Sequence, residues 1–207
     1  MMTMTKTPRQ IHSLEQSIKR SRFVATVMPL VSVDQVTDLL ACRHDASASH
    51  HCWAWQFGSQ YRSDDDGEPG GTAGRPILAA ITGQGFDHTL VLVQRWFGGI
   101  KLGKGGLARA YGGSAAKCLQ QTPSKLLIKM AKMSLQCAHE HIGSVHTACH
   151  GHQAQVLEQH WLPHQVQLEI ELPASETAAL QQQLRDASSG QIQCWTELRS
   201  GLNVTAQ

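Results

Sequence analysis

Apolar residues recur along this chain at two spacings, every second position or every third to fourth, and the switches between them predict its elements. Phe23 to Met28 (FVATVM) is a short β-branched run that predicts a strand, closed by Pro29. Val33, Val36, Leu39 and Leu40 follow helical spacing, so Val33 to Cys42 predicts a helix with Asp34 near its N-terminus. His51 to Phe57 alternates Cys52, Ala54 and Gln56 with Trp53, Trp55 and Phe57, which predicts a strand buried on both faces. Thr89 to Val93 (TLVLV) predicts a central strand. Leu107, Ala110, Tyr111, Ala115 and Leu119 predict a helix that tolerates Gly112 and Gly113 at a cost of roughly 2 kcal/mol relative to alanine. Close packing of that helix on a sheet would make small residues useful there. Ser63 to Pro76 reads as loop chemistry almost throughout, Ile77 to Thr82 as a short helix or turn, and residues 1–12 as a loose tail.

Thr122-Pro123-Ser124 marks a boundary, giving domains over residues 1–123 and 124–207. In the second, Leu126 to Gln136 predicts a strand and Ile142 to Gly151 a helix. Strands follow around Ala154 to His160 and over Gln165 to Leu172. In the latter Val166, Leu168, Ile170 and Leu172 face in, while Gln165, Gln167, Glu169 and Glu171 face out. Ser175 is placed to cap a helix from Glu176 to Ala187, Gly190 to stop it, and Gln191 to Leu198 to form the last strand. The order β-α-β-β-α-β predicts a ferredoxin-like domain, so the fold class is α+β with two domains.

Composition adds little: 207 residues, 41% hydrophobic and 16% charged, with net charge +2, describe a globular chain. The distribution of charge says more. Residues 88–139 carry eight Lys and Arg and no acid, between a nearly neutral segment and an acidic one. No stretch is apolar enough to span a membrane, and the first residues lack the core of a signal peptide. Six widely spaced cysteines without a C-x-x-C read as buried thiols, and the cytoplasm is the expected location.

The basic band contains the most glycine-dense run, Arg95 to Gly113 (RWFGGIKLGKGGLARAYGG). It follows the TLVLV strand and opens a helix, where unpaired amides carry partial positive charge. Gly98, Gly99, Gly105 and Gly106 would let a ligand approach the backbone. Arg95, Lys101, Lys104 and Arg109 would contact phosphates, and Tyr111 or Trp96 would stack. The bland alternative is a turn that packs strand on helix, with solvated lysines. Gly98 to Lys104 fits G-x-x-x-x-G-K, but Gly105 stands where a P-loop needs Ser or Thr.

A second motif is acidic: Asp64-Asp65-Asp66-Gly67-Glu68-Pro69. Its carboxylates, Asp65, Asp66 and Glu68 above all, could hold Mg²⁺ or act as acid and base. They could instead bond backbone amides in a tight turn, or position the cationic loop through Arg75 or Arg95. The structural and ionic roles are favoured. Twelve histidines show no zinc spacing, although Cys137, His139 and His141 would share a strand face. A Cys52–His51 nucleophile is disfavoured because neighbours on a strand point opposite ways.

These residues bring the chain close to a known family. SDDDGEPGGTAGRPIL (Ser63 to Leu78) and VLVQRWFGGIKLGKGGLARAYGG (Val91 to Gly113) resemble the IMPACT family of the YigZ type. His51-Cys52-Trp53-Ala54-Trp55 and Lys19-Arg20-Ser21-Arg22-Phe23 resemble further family positions. Trp96 stands where Tyr is frequent, and Gly70 where Ala or Ser is common. The resemblance implies an N-terminal α+β domain similar to the second domain of a small-subunit ribosomal protein. It implies a C-terminal domain similar to the end domain of elongation factor G. It also implies a link to translation, since eukaryotic relatives control translation under amino-acid starvation through protein contacts.

The leading expectation is therefore a cytoplasmic, non-enzymatic factor that binds RNA or the ribosome and influences translation, with no catalytic residue, cofactor, metal or membrane partner. Two alternatives stand beside it. One is a Mg-dependent enzyme acting on a phosphorylated small molecule. The other is an interaction module that docks a protein partner through its basic and acidic faces.

Overall fold

The structure is a computed structural model that describes residues 5–197. The chain forms two compact units, one ending at Leu127 and one beginning at Ile128. The first runs β1 (Lys6–Pro8), β2 (His12–Ile18), β3 (Ser21–Pro29), a single 3-10 turn at Val33–Gln35 leading into α1 (Val36–Ala41), β4 (His50–Phe57), β5 (Gln60–Asp64), α2 (Gly74–Gly83), β6 (Thr89–Trp96), α3 (Lys104–Gln121) and β7 (Ser124–Leu126). Five strands form one sheet in the order β2-β3-β6-β4-β5, which puts the TLVLV strand at its centre.

The period-two pattern of β4 sorts side chains between two cores. Cys52 and Ala54 are small and lie under α2 and α3, with Phe23, Ile77, Ile81, Tyr111 and Leu119. Trp55, with Trp53 and Phe57 partly buried, fills the other face against Met28, Leu30, Leu90, Leu92 and the α1 residues Leu39 and Leu40. A fully buried side chain of this size contributes roughly 1.5–3 kcal/mol. Small residues face the two long helices because those come close. The bulky indoles face the short α1, which leaves more volume to fill.

Several expectations need correction. The segment read as a loose tail is structured from residue 5 onward: Lys6–Pro8 pairs with Ser124–Leu126, and His12 already belongs to a strand. Residues 1–4 of that segment lie outside the described residues. The stretch read as loop from Ser63 to Pro76 begins inside β5 and ends inside α2. The Gly112 contact that favours a small residue is with α2 and not with the sheet: a Cβ there would lie 3.3 Å from the Pro76 Cβ.

The second unit runs β8 (Met130–Cys137), a 3-10 turn at His139–His141, α4 (Ile142–Gly151), β9 (Gln155–Trp161), β10 (Val166–Pro173), a 3-10 turn at Ala174–Glu176, α5 (Thr177–Ala187) and β11 (Gln193–Glu197). Its antiparallel sheet has the order β11-β8-β10-β9, the ferredoxin-like arrangement. Val166, Leu168, Ile170 and Leu172 are buried against Val145, Leu180 and Leu184, as the alternation requires, but Glu171, expected to face out, is buried as well.

Here too details differ from the sequence reading. The strand expected over Leu126 to Gln136 is two strands, because Ser124–Leu126 completes a ladder of the first unit. Ser175 lies in the turn and makes no capping bond; Thr177 Oγ1 donates instead to the Ala174 carbonyl at 3.1 Å. Gly190 stops the helix with φ +83°, and its N–H donates a hydrogen bond to Arg185 O at 2.8 Å. Leu198, expected in the last strand, lies outside the described residues.

Candidate anion cradle and its acidic support

β2 and β3 are joined by a two-residue turn in which both Lys19 (φ 44°) and Arg20 (φ 68°) are left-handed. Non-glycine residues enter that region at a cost, so the surroundings must hold them there. Gly98, just past β6, lies against this turn. A Cβ on Gly98 would sit 2.0 Å from the Arg20 carbonyl oxygen, and its amide donates to Ser21 Oγ at 3.2 Å. The basic pair at the turn thus stands beside the start of the glycine-rich loop. Next to it, the exposed Arg22 guanidinium stacks 3.8 Å from the centre of the Trp96 ring.

Phe97, Gly99, Ile100, Lys101, Gly103, Lys104 and Gly105 are exposed. Gly103, at φ +70°, caps α3 without help from any side chain, and the first turn holds no acid. The first amides of a helix lack intrahelical partners and carry partial positive charge. Arg109 is exposed and folds back over this turn, with Nη1 3.8 Å from where a Cβ on Gly105 would be. Lys101, Lys104 and Arg109 therefore present cations around the start of α3. Gly106 is half-buried under Leu102.

Arg95 and Tyr111 lie elsewhere. Both are buried, at 5% and 0% exposure, and both donate to Oε1 of the buried Glu68, at 2.5 and 2.8 Å. Neither offers an external phosphate or base a surface, so the contact roles expected of them do not fit this geometry. Their work is internal. Arg95 precedes the glycine-rich loop and Tyr111 follows it, so one carboxylate oxygen ties both flanks of the loop to the acidic segment. The rings of Tyr111 and Phe23 also pack in a T-shape, with centroids 5.3 Å apart. His50 borders the cluster: Nδ1 donates to Asp66 O at 2.7 Å, which turns Nε2 toward Glu68 Oε1 at 3.9 Å.

The other acids of the motif organise its backbone. Asp65 accepts from the amides of Gly71, Ala73 and Gly74 at 2.7–2.8 Å, capping the entry to α2 with a side chain distant in sequence. Asp66, left-handed at φ 39°, accepts from the His51 amide, and its own amide donates to Asp64 Oδ1. These oxygens point at backbone amides and not at one another. Among the described residues no group of three His, Cys, Asp or Glu side chains is arranged to hold a metal ion. His139 and His141 occupy a turn, so the strand face expected to unite them with Cys137 does not form. Burial pushes the Cys52 thiol up to about 12, the opposite of an activated nucleophile.

Partial burial raises the Asp65 pKa, but the three amides and Arg75 outweigh it and hold the carboxyl below its ordinary value. A depressed folded pKa adds stability that is complete above the unfolded value of about 4 and is lost as the pH falls through the folded one. Asp65→Asn is expected to cost about 1–2 kcal/mol near neutrality. The gap from wild type should stay constant from about pH 6 to about 5 and narrow as the pH falls below about 4. Urea midpoints measured across that range check it; a gap independent of pH would show that the charge is not what caps α2.

Lys19, Arg20 and Arg22 were not singled out as site residues on sequence. The signal for them in the sequence is the resemblance of Lys19-Arg20-Ser21-Arg22-Phe23 to family positions. No described helix is long and apolar enough to cross a membrane.

Comparison with known proteins agrees with the two units. A model of the Impact N-terminal domain matches residues 19–119, and one of a domain of unknown function (DUF1949) matches residues 135–191. An IMPACT family member of Thermus thermophilus is 38% identical over 181 residues, spanning 87% of this chain and 99% of the relative. The IMPACT family member YigZ of Escherichia coli is 32% identical over 186 residues, spanning 86% of this chain and 90% of the relative. Protein IMPACT of Rattus norvegicus matches over 106 residues at 33% identity, covering 46% of this chain and 33% of its own. A crystal structure described as a hypothetical protein aligns with TM-score 0.62 at 30% identity, covering 94% of this chain and 97% of that one. Matched along nearly the whole length of its bacterial relatives, the chain belongs to the IMPACT family.

Proposed function

We propose that this protein is a non-enzymatic factor that binds RNA or the ribosome in the cytoplasm and acts on translation. The observation that carries the reading is the exposed, acid-free opening of α3, where Lys101, Lys104 and Arg109 lie around a helix N-terminus that no side chain caps. Backbone amides and cations in that arrangement suit phosphate oxygens. The Lys19–Arg20 turn extends the positive surface, and the Arg22–Trp96 stack offers a platform for an unpaired base. The resemblance to the IMPACT family, whose eukaryotic relatives are linked to control of translation, supports the link to translation.

Filter binding of ribosomal RNA at increasing salt tests the proposal. Affinity is expected to fall by about a factor of ten or more between about 50 and 200 mM salt, as phosphate contacts dictate. Binding that is absent, or indifferent to salt, overturns it.

Phe97 and Ile100, 51% and 38% exposed on the same loop, favour a second reading in which the loop docks a protein partner. Co-purification with and without nuclease separates the two. A partner retained after nuclease treatment supports the protein contact, and material lost with it supports RNA.

A further inference from the structure

On the sheet face opposite α2 and α3, a cavity of about 230 Å³ opens between α1 and β4. Leu40, Ala41 and Leu92 supply apolar walls, and Trp53, His44, His51 and Asp66 the rest. The rings of His44 and His51 are stacked, 4.2 Å apart and 10° from parallel. His51 is only 17% exposed, and its Nε2 is 2.9 Å from the Asp45 carbonyl oxygen. A carbonyl can only accept, so Nε2 carries a hydrogen, and in the neutral form of the ring Nδ1 is a bare lone pair. That lone pair faces Asp66 Oδ2 at 3.5 Å.

Two acceptors at this distance repel one another unless a donor lies between them. Asp66 Oδ2 already takes the His51 amide hydrogen at 2.5 Å, and the left-handed backbone of Asp66 fixes its carboxylate at the cavity wall. Nothing within the neutral pair supplies a second donor, and the Asp66 side chain, 47% exposed, is open to one from outside. The aromatic wall shows what kind of group it tolerates: the Arg62 guanidinium already lies 5.9 Å from the Trp53 ring, although Arg62 does not line the cavity.

The geometry points to a binding site for a small organic cation, a guanidinium or ammonium group on a short apolar body. One N–H would bridge His51 Nδ1 and Asp66 Oδ2, the charge would rest on the carboxylate and the Trp53 face, and the body would lie against Leu40 and Leu92. The volume suits about the size of an arginine side chain. Two polar acceptors beside an indole and aliphatic walls fit an organic cation better than a metal ion, which needs more donors. The site shares no residue with the proposed RNA cradle, so the two stand or fall separately.

Matched probes test it on the full chain: n-butylguanidinium, and n-butylurea as its neutral counterpart. Ring ¹⁵N spectra first report the protonation of His51 at pH 7; the site requires the neutral Nε2–H form. Titration with n-butylguanidinium should then shift the Trp53 indole and the His51 ring saturably, with n-butylurea weaker by about tenfold or more. Asp66→Asn should reduce guanidinium binding to the urea level. Asparagine tolerates the left-handed backbone and keeps an oxygen for the His51 amide. A His51 imidazolium at pH 7 would mean that the pair supplies its own donor, and would overturn the site. So would equal affinity for the two probes, or no saturable shift with either, and neither of these readouts depends on a variant.

Discussion

Glu68→Ala is expected to be among the most damaging single changes in the first unit, lowering its stability by about 3–5 kcal/mol. The loss comes from what remains. Arg95 is buried with its guanidinium unpaired, and the Tyr111 hydroxyl loses its acceptor. That is a large share of the roughly 5–15 kcal/mol that holds a typical domain folded. Amide hydrogen exchange resolved along β3 and β6 reads the effect without interference from the second unit. Glu68→Leu combined with Arg95→Met and Tyr111→Phe should recover most of the stability, because an apolar cluster needs no ion pair. A drop below about 1 kcal/mol for the single alanine variant would show that the three side chains are not coupled.

The same change separates positioning from simple charge. Removing an acid makes the protein more positive, and electrostatics alone would raise RNA affinity. Glu68, however, fixes both flanks of the glycine-rich loop through Arg95 and Tyr111. Its loss should therefore lower RNA affinity even in protein that remains folded.

Gly98→Ala is expected to destabilise the first unit by about 3 kcal/mol or more. The new methyl would lie 2.0 Å from the Arg20 carbonyl oxygen and 2.6 Å from the Ser21 nitrogen. Both are backbone atoms, so the strained Lys19–Arg20 turn itself must move. Gly113→Ala is the control. Nothing lies within 4 Å of a Cβ there, and its helical position should gain up to about 1 kcal/mol. Thermal melts of the two variants should move in opposite directions. Equal shifts would mean that the contact at Gly98 yields readily.

Both effects explain why the sequence was only partly readable. α3 and the ferredoxin-like order followed from periodicity, since burial on one face imprints it directly, and the central strand followed from its unbroken, β-branched run. β2 escaped because His12–Ile18 is an edge strand, largely polar, whose apolar residues Leu14 and Ile18 are four apart. That spacing suggests a helix as much as a strand, and only pairing with β3 settles it. Ser124–Leu126 escaped because three residues carry no period and its partner is more than a hundred residues away.

At the site, charge and glycine content located the loop but could not say which cations face outward. Arg95 and Lys101 are indistinguishable by composition. The difference arises because β6 aims Arg95 beneath the acidic loop, where Glu68 waits. The motif suggested ionic positioning through Arg75 or Arg95, and the contact is made by Arg95.

The central claim is that Lys101 and Lys104 touch phosphate. Its most direct test compares ribosomal RNA binding by wild type and the Lys101→Ala/Lys104→Ala variant across a salt series, with affinity plotted against salt logarithmically. Both side chains are exposed, so the variant should stay folded. Its affinity should be lower, and its slope shallower by about 0.7–0.9 for each lost contact. Superimposable lines for the two proteins would contradict the account.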